Sequence, residues 1–115
     1  MRYVLLFVGT PEDQAEWDRL SQAERRARYA NVGQWFQANA TVIRATQQLQ
    51  APSTATTVRR GRNGTPLVTD GPFVESKEIV GGYAEIEVAD FAAALEMAKS
   101  WPGGPVEIRP VVAQR

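Results

Sequence analysis

The chain has 115 residues, enough for one hydrophobic core and too few for two, and its apolar fraction of 43% and charged fraction of 23% are those of an ordinary globular domain. Thirteen basic residues offset thirteen acidic ones, so the basic excess that a nucleic-acid partner requires is missing. Cysteine and histidine are both absent, which excludes disulfides, thiol nucleophiles and thiolate metal sites and removes the commonest general base near neutral pH.

Met1 to Val8 is too short for a signal-peptide core with its cleavage site or for a membrane span, and it reads as a strand. Tyr3, Leu5 and Phe7 fall on one of its faces and Val4, Leu6 and Val8 on the other, so both faces need cover. Thr10, Pro11 and Asp13 supply an N-cap, a first-turn proline and an acidic third position for a short helical segment ending near Leu20. Ser21 with Glu24 forms a capping box that opens a longer helix to about Ala40. Its inward stripe is expected at Tyr29, Val32, Gly33, Phe36 and Ala40.

Thr41 to Leu49 is rich in β-branched residues and reads as the second strand, ended by Ala51-Pro52-Ser53. Ala55 to Arg62 and Thr65 to Thr69 flank Asn63-Gly64, which predicts a hairpin with a type I′ turn. Ile79 to Val88 alternates, with Ala84, Ile86 and Val88 on one side and Tyr83, Glu85 and Glu87 on the other. Asp90 caps a helix carrying Phe91, Ala94, Leu95 and Ala98 at helical spacing, and Pro102-Gly103-Gly104 ends it. Val106 to Val112 supplies the last strand, on which Arg109 can pair with a glutamate across the sheet if that strand neighbours Ile79 to Val88.

This order predicts an α+β, ferredoxin-like two-layer sandwich: a mostly antiparallel sheet with two helices on one face, in a single domain spanning residues 1–115. The first strand is apolar on its second face as well, so a second copy of the chain is expected to cover it, giving a homodimer of the dimeric α+β barrel type in which two sheets meet face to face. The alternative is that the hairpin folds over its own sheet. The cytoplasm is the expected compartment.

The densest polar run is Thr69 to Glu78, followed by Gly81-Gly82-Tyr83. Read functionally, Asp70 is a turn carboxylate acting as acceptor or base, the one residue assigned a catalytic role. Arg59, Glu75, Lys77 and Tyr83 are then the groups that orient an anionic or phenolic ligand. Read structurally, Asp70 caps its own turn and the charges form a solvated loop. Gly81-Gly82 lacks the spacing and the following helix of a phosphate loop and marks a bulge or a close backbone approach. No cofactor motif is present, and composition disfavours a metal site, a carboxylate cage for a hard cation apart. Arg25, Arg26 and Arg28 are read as the outer side of the first long helix, and Trp17, Trp35 and Trp101 as core or interface anchors.

Thr69-Asp70-Gly71-Pro72-Phe73, with Glu75, Lys77-Glu78, Gly81-Gly82-Tyr83 and the closing Val106-Glu107-Ile108-Arg109-Pro110, closely resembles the DGPF branch of the YCII-related family, over nearly the full length. The resemblance implies a ferredoxin-like domain that dimerises through its sheets. Some relatives are thought to use a histidine and aspartate pair in catalysis, and a few act on ring-derived small molecules. Asp70 matches the motif aspartate, but without any histidine that mechanism does not carry over. Genes of DGPF proteins often lie beside extracytoplasmic-function sigma factors, which implies a regulatory setting. Two readings follow: a small-molecule-binding domain, with or without enzyme activity, whose cavity lies near the DGPF turn, and a non-enzymatic interaction module associated with such a sigma factor.

Overall fold

The computed structural model describes residues 1–71 and 78–113. Strand β1 (Arg2–Gly9) is followed by helices α1 (Pro11–Arg19) and α2 (Gln22–Ala38), strand β2 (Ile43–Gln48), and the hairpin of β3 (Thr56–Arg60) and β4 (Pro66–Asp70). Strand β5 (Ile79–Glu87), helix α3 (Phe91–Lys99) and strand β6 (Val106–Pro110) complete the chain. No helix among the described residues is long and apolar enough to cross a membrane.

Local chemistry fixes the helix starts. The Thr10 amide and hydroxyl donate to Asp13 Oδ2 at 2.8 and 3.0 Å, and the Asp13 amide donates back to Thr10 Oγ1 at 3.1 Å. Ser21 and Glu24 repeat this reciprocity for α2 at 3.1 Å in each direction. The bond from the Ser21 amide, reinforced by its hydroxyl, holds the Glu24 carboxyl below the usual carboxylate range. Asp90 accepts from the Ala93 amide at 2.9 Å and starts α3.

Strand β1 lies between β5 and β6 and runs antiparallel to both, while β2 pairs antiparallel with the far side of β5, giving the sheet order β2-β5-β1-β6. Parallel strands β1 and β2, joined through α1 and α2, are split by β5; parallel strands β5 and β6, joined through α3, are split by β1. Two interleaved split β-α-β units of this kind give the predicted ferredoxin-like order. The hairpin forms a separate two-stranded sheet between β2 and β5.

The core sits on one face of the larger sheet. Tyr3 and Leu5 of β1, with Ala84 and Ile86 of β5, are buried against Trp35 of α2 and Ala94 and Met97 of α3. On the opposite face Val4, Leu6 and Val8 are only half-buried, beside Tyr83 and Glu85 of β5 and Glu107 and Arg109 of β6. The first strand is thus apolar on both sides, and one side is only half-covered by the described residues.

Three expectations are corrected. Trp35, rather than the Tyr29–Gly33 sector, is the buried anchor of α2; Tyr29 is 59% exposed and Gly33 and Ala40 face solvent. The helix is rotated so that Val32, Trp35, Phe36 and Asn39 face inward. The turn at the hairpin is not type I′, since Asn63 has no positive φ; the Gly64 amide donates to Gly61 O at 3.0 Å and Gly64 alone has φ of 74°, the pattern of a type I turn closed by a bulge glycine. Finally, β5 and β6 are not neighbours, because β1 separates them. Arg109 pairs with Glu107 on its own strand at 3.1 Å, while Glu87 meets Arg2 at 3.5 Å.

Arg25 does more than decorate a helix surface. Its Nε and Nη2 donate to the carbonyls of Trp17 and Asp18, both at 3.2 Å, which satisfies the C-terminal turn of α1. Its guanidinium also lies 5.5 Å from the Trp17 ring centroid.

Gly33 offers the first prediction. It occupies the interior of α2, and a Cβ added there would meet nothing within 4 Å. Gly33→Ala should therefore stabilise the protein by about 0.5–1 kcal/mol, by removing unfolded-state freedom without any new contact. A urea midpoint that rises with an unchanged slope is the expected reading, and a fall would mean that the helix needs the glycine.

Candidate functional site

Asp70 ends β4 and is exposed. Gly71 follows with φ of 105°, and both of its backbone groups are held by β3 and its approach: the Gly71 amide donates to Ala55 O at 2.8 Å, and the buried Thr57 hydroxyl donates to Gly71 O at 2.6 Å. The first half of the DGPF turn is thus clamped to the base of the hairpin. Arg59 lies opposite Leu67, whereas Asp70 lies opposite Thr56, which puts the two side chains on opposite faces of the hairpin. Tyr83 is half-buried on the uncovered face of the larger sheet. Glu75 and Lys77 lie outside the described residues. Asp70, Arg59 and Tyr83 therefore point three ways.

The aromatic-walled recess lies elsewhere. Where β1 ends at Phe7, Val8 and Gly9, the N-terminal half of α2 stands off the sheet and leaves a cleft of about 320 Å³. Its wall is aromatic. Phe7 and Trp101 are stacked at 4.1 Å with 23° between their planes, and Phe36 meets both edge-on, at 6.4 Å from Phe7 and 5.9 Å from Trp101. Tyr29 and Val32 of α2 form the lip.

The floor is made of backbone, from Gly81-Gly82 of β5 and Gly104 before β6. Gly82 is required there, since a Cβ would come within 2.9 Å of the Gln47 carbonyl oxygen. Gly81 is an extra residue opposite the Phe7–Val8 step, where the register between β1 and β5 shifts. The expected bulge and close approach are both present, one at each glycine.

Polar groups in this cleft are few and uncharged. Thr46 and Gln48 stand on the helix side of β2, opposite Ala84 and Gly82, and the Thr46 hydroxyl already donates to Tyr83 O at 2.7 Å. The Gln48 carboxamide is exposed at the rim. A broader groove of about 570 Å³ shares Val8, Gly9, Tyr29, Val32 and Gly104 with the cleft and adds Asp13, Glu16 and Arg28. Those charges are engaged: Arg28 binds Glu16 at 2.6 Å, and Asp13 completes the α1 cap. Among the described residues no three Asp or Glu side chains gather in a way that could hold a metal ion.

Such a site can hold an apolar ring by stacking and orient it with a single amide, and it presents no carboxylate or amine for proton transfer. Sequence reasoning missed it because its residues come from five separated segments, and apart from Gly81-Gly82 none belongs to a motif. The one available signal was Gly81-Gly82, read as structural, which turns out to be the floor.

Fold and cleft together define a small α+β domain with an apolar recess between its antiparallel sheet and one helix. The chain belongs to the YCII-related domain family, whose model matches residues 1–113. No curated protein shows significant similarity to it in sequence.

Proposed function

We propose that this chain is a small-molecule-binding domain of the DGPF branch that works as a homodimer, and that its ligand is a compact, uncharged ring compound seated in the cleft between α2 and the sheet. The stacked Phe7–Trp101 wall over a glycine floor carries this reading, because such a recess offers an apolar ring contact on a flat face and offers an ion nothing. A volume of about 320 Å³ is at the small end of ligand pockets.

The polar residues singled out in the sequence enter in two ways. Asp70, Glu75 and Lys77 belong to the segment that runs on to the cleft floor at Gly81-Gly82, and we assign them to the polar end of the ligand, with Asp70 as acceptor. Arg59 and Tyr83 face away from the cleft in one copy, and their part in binding requires a second. Pairing also answers the half-exposed Val4, Leu6 and Val8.

A thermal-shift screen of neutral aromatic compounds tests the cleft. Hits should stabilise the protein by about 2.7 kcal/mol at a hundredfold excess over Kd. Val32→Trp, which fills the lip, should abolish that stabilisation, and Gln48→Ala should weaken it. Hits whose shifts survive Val32→Trp undiminished would place the ligand elsewhere.

A further inference from the structure

The corner made by α1 and the start of α2 is held to itself rather than to the sheet. From Pro11 to Asn31 only Trp17, Leu20 and Arg25 are less than exposed, and none of these residues is buried. A helix of a two-layer domain ordinarily owes its place to an apolar stripe pressed on the sheet. Here the inward face begins only at Val32 and reaches its anchor at Trp35. What holds the corner is internal: the two capping boxes, Arg25 on the last carbonyls of α1, the Arg28–Glu16 pair, and Trp17 meeting the Tyr29 ring edge-on at 5.2 Å and 77°. These bonds make it one stiff piece.

That piece has open space beside it and a glycine at each end. The groove of about 570 Å³ runs between it and Pro102, Gly103 and Gly104, and a second groove, of about 610 Å³, runs between it and the end of β2 with the start of β5. Asp13 and Trp17 line both grooves, so α1 stands over the mouth of the cleft with room on either side. The piece joins the rest of the chain at Gly9 and Gly33, and at neither position would a Cβ meet any atom within 4 Å. Neither glycine has a positive φ. With no close neighbour and no special dihedral to select them, what they supply is backbone that bends at small cost, one at the end of a strand and one inside a helix.

We propose that the corner is a flap that turns about Gly9 and Gly33 and closes on a ring compound in the cleft, bringing Trp17 and Tyr29 against it as the wall opposite Phe7 and Trp101. Closure shuts water out of the recess and covers Tyr29, which is 59% exposed in the open form. It also turns Trp17, which lines the two grooves and not the cleft, into a ligand contact. The ligand class that fits is a flat, neutral ring system with two bare faces, one for each aromatic wall. This rests on the cleft reading above and adds how the site shuts and which residues complete it.

The probe is coumarin, a flat neutral lactone, titrated into the full chain with its three tryptophans replaced by fluorotryptophan and followed by fluorine NMR. Trp17→Phe and Trp101→Phe assign the two resonances that matter. Both should move, with one dissociation constant. Gly33→Ala should bind coumarin about two- to fivefold more weakly than the wild type, the factor by which alanine favours the unbent helix, even as it raises the urea midpoint. Both signatures are required. A shift of Trp101 without Trp17, or a Gly33→Ala protein that binds as tightly as the wild type, overturns the flap and leaves the cleft standing. Coumarin that moves neither resonance, or Trp17 alone, overturns the cleft reading and the flap with it.

Discussion

Trp35→Ala is expected to cost the fold about 3–5 kcal/mol, the range for deleting a large buried aromatic. Trp35 is 5% exposed and is the sole buried residue of α2, so the attachment of that helix to the sheet depends on it. Its ring meets Phe7, Phe36 and Trp101 edge-on, with centroids at 5.9, 5.1 and 5.0 Å, and its Nε1 donates to Ser100 Oγ at 2.9 Å and Met97 O at 3.2 Å. One side chain thus ties α2 to β1 and to the end of α3. Against a total stability of about 5–15 kcal/mol for a domain of this kind, the loss is about a fifth or more. Urea unfolding should show the midpoint collapse. Trp35→Phe separates the causes: it keeps most of the ring contact and loses the indole donor, which should cost about 0.5–1.5 kcal/mol for the hydrogen bond together with a smaller packing loss. If the two variants fall by the same amount, the hydrogen bond rather than the ring holds the helix. Trp17, half-buried between α1 and α2 and outside the core cluster, should tolerate alanine far better.

That a tryptophan would anchor the core was legible; which of three would do so was not. Short-range chemistry carried the local structure well: Thr10 with Asp13, Ser21 with Glu24, and Asp90 each mark a helix start by bonds spanning three residues, and each starts a helix. The alternation in β5 separated Ala84 and Ile86 from Tyr83 and Glu85 for the same reason, since a strand's two faces are fixed by covalent geometry. Reasoning weakened where distant segments compete. The rotation of α2 depends on which side chains the glycine-floored end of the sheet can receive, and that floor is built from β5 and from the loop before β6. Arg109 was matched to a glutamate across the sheet because the order of β1 between β5 and β6 is a non-local fact. The cleft was illegible on the same grounds: Phe7, Val32, Phe36, Gln48, Gly82 and Trp101 are neighbours only after the split β-α-β units interleave.

The paired glycines of β5 offer the sharpest test of how fold and cleft share residues. Gly82→Ala is expected to destabilise the protein by about 1–3 kcal/mol, whereas Gly81→Ala should stay within about 0.5 kcal/mol of the wild type. The two differ in what a methyl group meets. At Gly82 it would reach the Gln47 carbonyl oxygen at 2.9 Å and the Gln48 Cα at 3.5 Å, both backbone atoms of β2 that can yield only if the strand moves. At Gly81 the nearest atom is the Phe7 carbonyl oxygen at 4.0 Å, an ordinary separation. Moving β2 away from β5 would also displace Thr46 and Gln48 and tilt Phe7, whose ring carbon lies 3.7 Å from the same position, so Gly82→Ala should weaken any ring-compound stabilisation even below its own melting transition. Equal effects at the two positions would mean that the bulge, rather than the approach of β2, selects the glycine pair, and the floor of the cleft would then owe its shape to β1 alone.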